Sequence, residues 1–153
     1  MVKKSSHERA DAVCIKRAYV SPAEEDGCRV LVDRLWPRGV ARKSLALDEW
    51  QKDVAPSADL RRWFNHDPAR WDEFKTRYRA ELAKSPAREA LSTLVRLARQ
   101  GKLTLIYAAR DENHNEATVL RDVILRRLRE KPRARRPCFN RTHVILPRAG
   151  GRS

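Results

Sequence analysis

The chain has 153 residues, enough for one domain with a continuous core and no need of disulfide or metal staples. Thirty-four Lys and Arg against twenty Asp and Glu give a net charge of +14, which points to anionic ligands or partners and says nothing about fold. No run approaches the roughly 20 apolar residues of a spanning helix and none follows Lys3 and Lys4, so neither membrane anchor nor secretory signal is expected and the location expected is cytoplasmic.

Residues 1–11 are polar and predict a loose N-terminus. From Val13 to Val20 the alternation of Val13, Ile15 and Tyr19 against Lys16 predicts a first strand, ended by the turn from Ser21 to Gly27. Cys28 to Leu35 reads as a second strand. Its consecutive Val30, Leu31 and Val32 imply burial on both faces, as in a parallel or mixed sheet covered by helices. Leu45 to Trp50 alternates weakly and leaves a short strand and a loop both open. Ser57 then stands as the N-cap of a helix carrying Leu60, Trp63 and Phe64, which Asn65 stops. Asp67 caps the next helix with Pro68 at N1, and Trp71, Phe74, Tyr78 and Leu82 form one apolar stripe. Ser85-Pro86 repeats the start signal for a helix with Leu91, Leu94, Val95 and Ala98 inward, and Gly101 is expected as its left-handed C′ residue.

Lys102 to Ala108 reads as the next strand, leading into a helix from about Asn113 to Arg129 that turns Ala117, Leu120, Val123, Ile124 and Leu128 inward and stops before Pro132. Beyond it Arg133-Ala134-Arg135-Arg136-Pro137 reads as a solvated linker, and Thr142 to Leu146 as a candidate edge strand. Residues 1–11, 12–131 and 132–153 are thus expected as flexible N-terminus, α/β domain and basic extension. Strand, paired helices, strand and helix in that order imply an α/β fold: a single layered domain whose small, mostly parallel or mixed sheet is covered by helices, since parallel strands need long crossovers.

Two segments share one layout, an apolar run that ends in a polar cluster with both an arginine and an aspartate. The first emerges as Asp33-Arg34-Leu35-Trp36-Pro37-Arg38-Gly39 and the second as Arg110-Asp111-Glu112-Asn113-His114-Asn115. Ligands of open α/β sheets bind beyond the carboxyl ends of strands, so two such ends can share one pocket. Arg34, Arg38 and Arg110 offer bidentate forks for phosphate or carboxylate, Trp36 a flat wall, Gly39 a turn, and Asn113 and Asn115 polar groups at a helix entrance whose free amides favour anions. Asp33 and Asp111 would orient those arginines. His114 near a positive helix end tends toward its neutral form, which suits proton transfer, so Asp33, Asp111 and His114 are the catalytic candidates. The structural alternative has Asp111 as a plain N-cap, Arg110 paired with Asp33, Trp36 packed on the domain edge, and His114 and Asn115 as surface or packing residues.

Three motifs, Val32-Asp33-Arg34-Leu35-Trp36-Pro37-Arg38-Gly39, Trp63-Phe64-Asn65-His66-Asp67-Pro68-Ala69-Arg70-Trp71 and Tyr107-Ala108-Ala109-Arg110-Asp111-Glu112-Asn113-His114-Asn115, resemble the YeaO-like branch of the domain-of-unknown-function family four-eight-eight. The resemblance covers roughly Val13 to Leu128 and implies a small cytosolic, bacterial α/β protein without an established activity. It also implies that the strand ending at Ala108 leads, in the wider family, into a Cys-His-Arg cluster. Here Asn115, Glu116 and Ala117 stand in its place, so thiol or His-Arg chemistry of the wider group is not expected.

Other candidates are weaker. His66 either finishes a helix junction as a polar spacer or points into the same crevice, and the aromatic row from Trp63 to Tyr78 has core spacing. Cys14, Cys28 and Cys138 form no Cys-x-x-Cys pair, and His7, His66, His114 and His143 form no His-x-x-x-His pair; neither a metal nor a cofactor is expected. Between Arg121 and Ser153 eleven basic residues oppose two acidic ones, which carries nine of the fourteen net charges. A small anion in the two-loop pocket is therefore the first expectation, with enzyme or binder left open. Sequence-independent nucleic-acid association through Arg126, Arg127, Arg129, Arg133, Arg135 and Arg136 is the alternative.

Overall fold

A computed structural model describes residues 12–130. Its centre is one sheet of four parallel strands in the order β1-β4-β2-β3, with β1 Val13–Arg17, β2 Cys28–Leu31, β3 Glu49–Trp50 and β4 Leu103–Tyr107. Leu105 sits opposite Ile15 on one side and Val30 on the other, which makes β4 a central strand. All five of its residues are buried, and that is why Leu103-Thr104-Leu105-Ile106-Tyr107 shows an almost unbroken apolar run instead of alternation.

Four helices cover one face: α2 Ala58–Phe64, α3 Trp71–Leu82, α4 Ala87–Gln100 and α5 Glu116–Arg129, while the short α1 Arg42–Leu45 lies with the other face. Val13, Val30, Leu103 and Leu105 on the strands meet Phe74, Leu94, Leu120 and Ile124 on the helices, each at most 2% exposed. Each such aliphatic or aromatic side chain contributes about 1.5–3 kcal/mol by leaving water. On the opposite face Leu31 and Ile106 are roofed by Leu45, Trp36, Val40, Leu47 and Trp50, with the two indoles edge to face at 5.4 Å.

A buried polar knot closes that second face at the amino ends of the strands. Asp26 receives Lys16 Nζ at 3.0 Å and Arg29 Nη1, and Arg29 also donates Nε and Nη2 to the Leu45 carbonyl. Gly27 beside it has φ +65, and a Cβ there would stand 2.4 Å from the Lys102 carbonyl oxygen.

The helix starts follow their caps. Ser57 Oγ accepts from the Leu60 amide at 3.1 Å, Asn65 ends α2 in the left-handed region, and Asp67 Oδ1 accepts from Ala69 at the head of a 3-10 turn, Pro68–Arg70, that feeds α3. Several expectations are corrected. The first two strands stop at Arg17 and Leu31, because the chain bends away at both carboxyl ends. Of the two readings left open for Leu45 to Trp50, a short strand is present at Glu49–Trp50, preceded by the end of a helical turn and a left-handed Ala46. Pro86, not Ser85, occupies the cap of α4, the Ser85 hydroxyl being directed to Glu89. Gly101 lies at φ 173, extended backbone, so the return into β4 needs no left-handed residue. The last helix begins at Glu116 and not near Asn113, since Asp111 folds residues 111–114 into a separate turn. The N-terminal segment, the basic linker and the candidate strand from Thr142 to Leu146 lie outside the described residues. Among the described residues no helix is long and apolar enough to cross a membrane.

Candidate functional site

The two polar loops meet. After β2 the backbone still pairs with β4 through the Val32 amide and the Ile106 carbonyl at 3.1 Å, and one residue later Asp33 Oδ2 accepts the Ala108 amide at 2.9 Å. Adjacent strand ends therefore bring Asp33 beside the loop that follows β4. Above this junction lies a cleft of about 900 Å³, in the range of small-molecule sites.

Its walls come from four places. The loop after β2 supplies Asp33 and Arg34; the segment entering α2 supplies Ala55 and Pro56; α2 and its end supply Arg61, Arg62, Asn65 and His66; and the loop after β4 with the start of α5 supplies Arg110, Asp111, His114 and Glu116. Phe64 and Phe74, with ring centroids 4.4 Å apart, form an apolar wall. Asn65 and His66 are consecutive residues with φ 45 and 54, a left-handed pair without glycine that costs conformational energy at the cleft entrance.

The acidic side of the cleft has an unusual charge state. Burial is the main reason the Asp33 carboxyl is raised to about 9, and the hydrogen bond and charge of Glu116 push the same way against the Ala108 amide and Arg61. Among the described residues no donor reaches the buried Oδ1 of Asp33. Tyr78 beneath is likewise raised by burial and then by Glu116, Glu81 and Asp33, and its hydroxyl is spent on the Val54 carbonyl.

On the other lip Asp111 Oδ1 accepts the amides of Asn113 and His114 at 2.9 and 3.0 Å, while Oδ2 lies 2.8 Å from His114 Nδ1. A carboxylate only accepts, so Nδ1 carries the hydrogen of that bond. The Asn113 amide and His114 hold Asp111 below the usual carboxylate range. The His114 ring also stands edge-on to Trp71 at 5.1 Å, so packing and hydrogen bond fix it together.

The expected site residues thus divide. Asp33, Arg34, Arg110, Asp111, His114 and Asn115 line the cleft. Asn115 is 2% exposed and acts as N-cap of α5, accepting from Thr118 at 3.0 Å and donating to the Asp111 carbonyl. Asn113 is exposed and gives Asp111 only its amide. Trp36, Arg38 and Gly39 do not line the cleft: the indole donates to the Val40 carbonyl at 2.7 Å and roofs the opposite face, and the Arg38 carbonyl accepts from Tyr19. Leu31 and Ile106 need that cover, which draws Trp36 across. Among the described residues no hydrogen bond or ion pair joins Asp33 or Asp111 to Arg34, Arg38 or Arg110: Asp33 Oδ2 takes the Ala108 amide, and Asp111 takes two amides and His114. Glu116, Arg61 and Arg62 join the site unforeseen. The only sequence signal for Glu116 was an acidic residue directly after a capping Asn; the α2 arginines gave none. Among the described residues no three His, Cys, Asp or Glu side chains gather as metal ligands.

A family model described as the Inactive DUF488-N3 subclade matches residues 12–140. The chain is 42% identical over 107 residues to Uncharacterized protein YeaO of Escherichia coli, covering 70% of this chain and 91% of that one. It is 40% identical over 116 residues to Uncharacterized protein Mb3100c of Mycobacterium bovis and equally to Uncharacterized protein Rv3073c of Mycobacterium tuberculosis, covering 76% of this chain and 96% of each relative. No solved structure matches the chain. With most of its length under the family model and under bacterial relatives at such identity, the chain belongs to the YeaO-like DUF488 family, in the subclade described as inactive.

Proposed function

We propose that this protein binds a small anionic molecule in the cleft beyond β2 and β4. The observation that carries the reading is that the guanidinium groups of Arg61 and Arg110 line the cleft with no hydrogen bond or ion pair among the described residues, Arg61 acting on Asp33 through its charge alone. Arg34 adds a guanidinium held only by a 3.5 Å contact to the Ala55 carbonyl, whereas Arg62 is tied to Asp59. Unspent guanidinium forks around an apolar wall suit a phosphate or carboxylate attached to a less polar body. The test is a thermal-shift screen of anionic small molecules on the full chain, with Arg61→Ala and Arg110→Ala as controls. A ligand at a hundred times its Kd raises stability by about 2.7 kcal/mol, and both variants lose the shift. A wild type that responds to no anion overturns the reading.

The pairing of His114 Nδ1 with Asp111 favours a second reading, in which His114 moves a proton on the bound molecule through its other nitrogen. His114→Ala then abolishes turnover of a bound ligand while leaving its affinity within a few fold. Nucleic-acid association is the remaining alternative. Arg126, Arg127 and Arg129 stand at the last turn of α5, roughly 20 Å along its axis from the cleft, and Arg133, Arg135 and Arg136 lie outside the described residues. Deleting residues 131–153 separates the two: a small-anion site survives it, and a salt-sensitive affinity for generic DNA or RNA does not.

A further inference from the structure

The cleft holds two carboxyl groups that an anion-binding site has no evident use for, and the charge of Arg61 acts against the raised Asp33. Asp33 comes from the end of β2 and Glu116 from the first turn of α5, and Glu116 lies within hydrogen-bonding reach of Asp33. The Ala108 amide fixes Asp33 Oδ2, which aims the other oxygen, fully buried, at a place where no protein donor arrives. A buried oxygen left so is costly unless something supplies a hydrogen, and among the described residues the Glu116 carboxyl is the neighbour able to carry one. The groups facing the pair from the surrounding elements are Arg61 on α2, Tyr78 on α3 and Arg34 beside Asp33. Tyr78 cannot donate to it, because its hydroxyl is committed to Val54.

We propose that Asp33 and Glu116 hold a single proton between them and that the cleft binds its anion more tightly while that proton is in place. The proton sits on the oxygen–oxygen axis, donated by one carboxyl and accepted by the other, so the pair carries one negative charge instead of two. Removing it places a second negative charge on the floor beneath the arginines, where it repels the ligand they attract. The coupling is reciprocal: a bound anion makes the proton harder to remove. Burial, which raises Asp33 first, and the Glu116 charge, which raises it further, place the loss of the proton well above neutrality. The ligand class follows. The cleft accepts anions at neutral pH and releases them in alkali, although its arginines stay charged throughout.

This coupling rests on the cleft being an anion site, so its test must tell the two apart. Sulfate serves as the probe because its charge is constant from pH 7.5 to 10, and that window lies above the ordinary range of imidazole. In titration calorimetry of the full chain, sulfate affinity is expected to fall at least roughly tenfold between pH 7.5 and 10. Asp33→Asn keeps an acceptor for Ala108 and offers Glu116 a permanent donor, and its affinity is expected to stay level over the same range. Carbon-13 NMR of the side-chain carboxyls gives a second reading: one carboxyl stays protonated at pH 7.5 in the wild type and is missing from Asp33→Asn. Sulfate bound with the same affinity at both pH values, or a wild type with every carboxyl ionised at pH 7.5, overturns the shared proton and leaves the anion site standing. Failure to bind sulfate at any pH overturns the anion site and the coupling together.

Discussion

The Ala108 amide and the Asp33 carboxyl meet at 2.9 Å across 75 positions of the chain, and that bond holds the two strand-end loops together. It also joins to the fold a carboxyl whose charge the fold disfavours. The sign of the pH effect is set by the direction of the shift: an unfolded aspartate ionises near pH 3.9, whereas burial first and Glu116 second keep Asp33 protonated to about 9. Between those values the native chain binds more protons than the unfolded one, so this group removes stability as pH rises, by at most about 1.4 kcal/mol per pH unit. Asp33→Asn is accordingly expected to be more stable than wild type at pH 8 by at least about 1 kcal/mol, with the gain vanishing near pH 4. Urea denaturation at the two pH values checks it; a variant less stable at pH 8 contradicts it.

Asp26 behaves in the opposite sense. Burial alone would raise its carboxyl, but the Ala23 amide, Lys16 and Arg29 together hold it below the ordinary aspartate value. Its contribution is present above about pH 4 and is lost as pH falls through the lowered value. Asp26→Ala leaves the Arg29 guanidinium, 4% exposed, with only the Leu45 carbonyl, and a loss of about 3 kcal/mol at pH 7 is expected by chemical denaturation. A loss below about 1 kcal/mol would show that Lys16 and Arg29 find water or other partners.

Gly27→Ala tests a purely steric point. The residue has φ +65 and its new Cβ would meet the Lys102 oxygen at 2.4 Å, backbone that cannot swing aside. Destabilisation of about 2–4 kcal/mol is expected, without change in the anion response at temperatures where the protein stays folded. A neutral outcome would mean that the Glu24–Asp26 turn rebuilds at no cost.

Asn115→Ala removes the cap of α5 and the donor to the Asp111 carbonyl in one step. A loss of about 1–2 kcal/mol is expected in thermal unfolding, since the site is buried, and Asn115→Asp should recover the part due to the cap alone. Equal losses for both variants would assign the effect to the Asp111 contact.

How far the sequence could be read differs between fold and cleft. Ser57 and Asp67 announce their turns because a side-chain oxygen within three residues satisfies the amides it precedes, and the stripes of α3 and α4 show the core side at helical spacing. The first two strands were visible too, one by alternation and one by its unbroken apolar run, though their ends were read too long at Val20 and Leu35, where apolar residues continue past the last ladder bond and stand in solvent. The meeting of the Asp33 and Arg110 loops followed from a rule about strand ends. The rest of the cleft depended on tertiary placement: Arg61 and Arg62 are ordinary exposed positions of a short helix until α2 is set beside β2, and Trp36 looks like a wall for a ligand until the uncovered Leu31 and Ile106 claim it. A helix start near Asn113 left Asp111 and Asn113 as the cap candidates; Asn115 had an equal claim by residue type and holds the position.

Among the described residues β4 is the last strand to leave the ribosome and yet lies between the first two. Until Tyr107 has been synthesised, β1 has no neighbour and β2 has only the two residues of β3. The sheet among the described residues therefore cannot be completed until the segment from Leu103 is available to pair with β1 and β2 together.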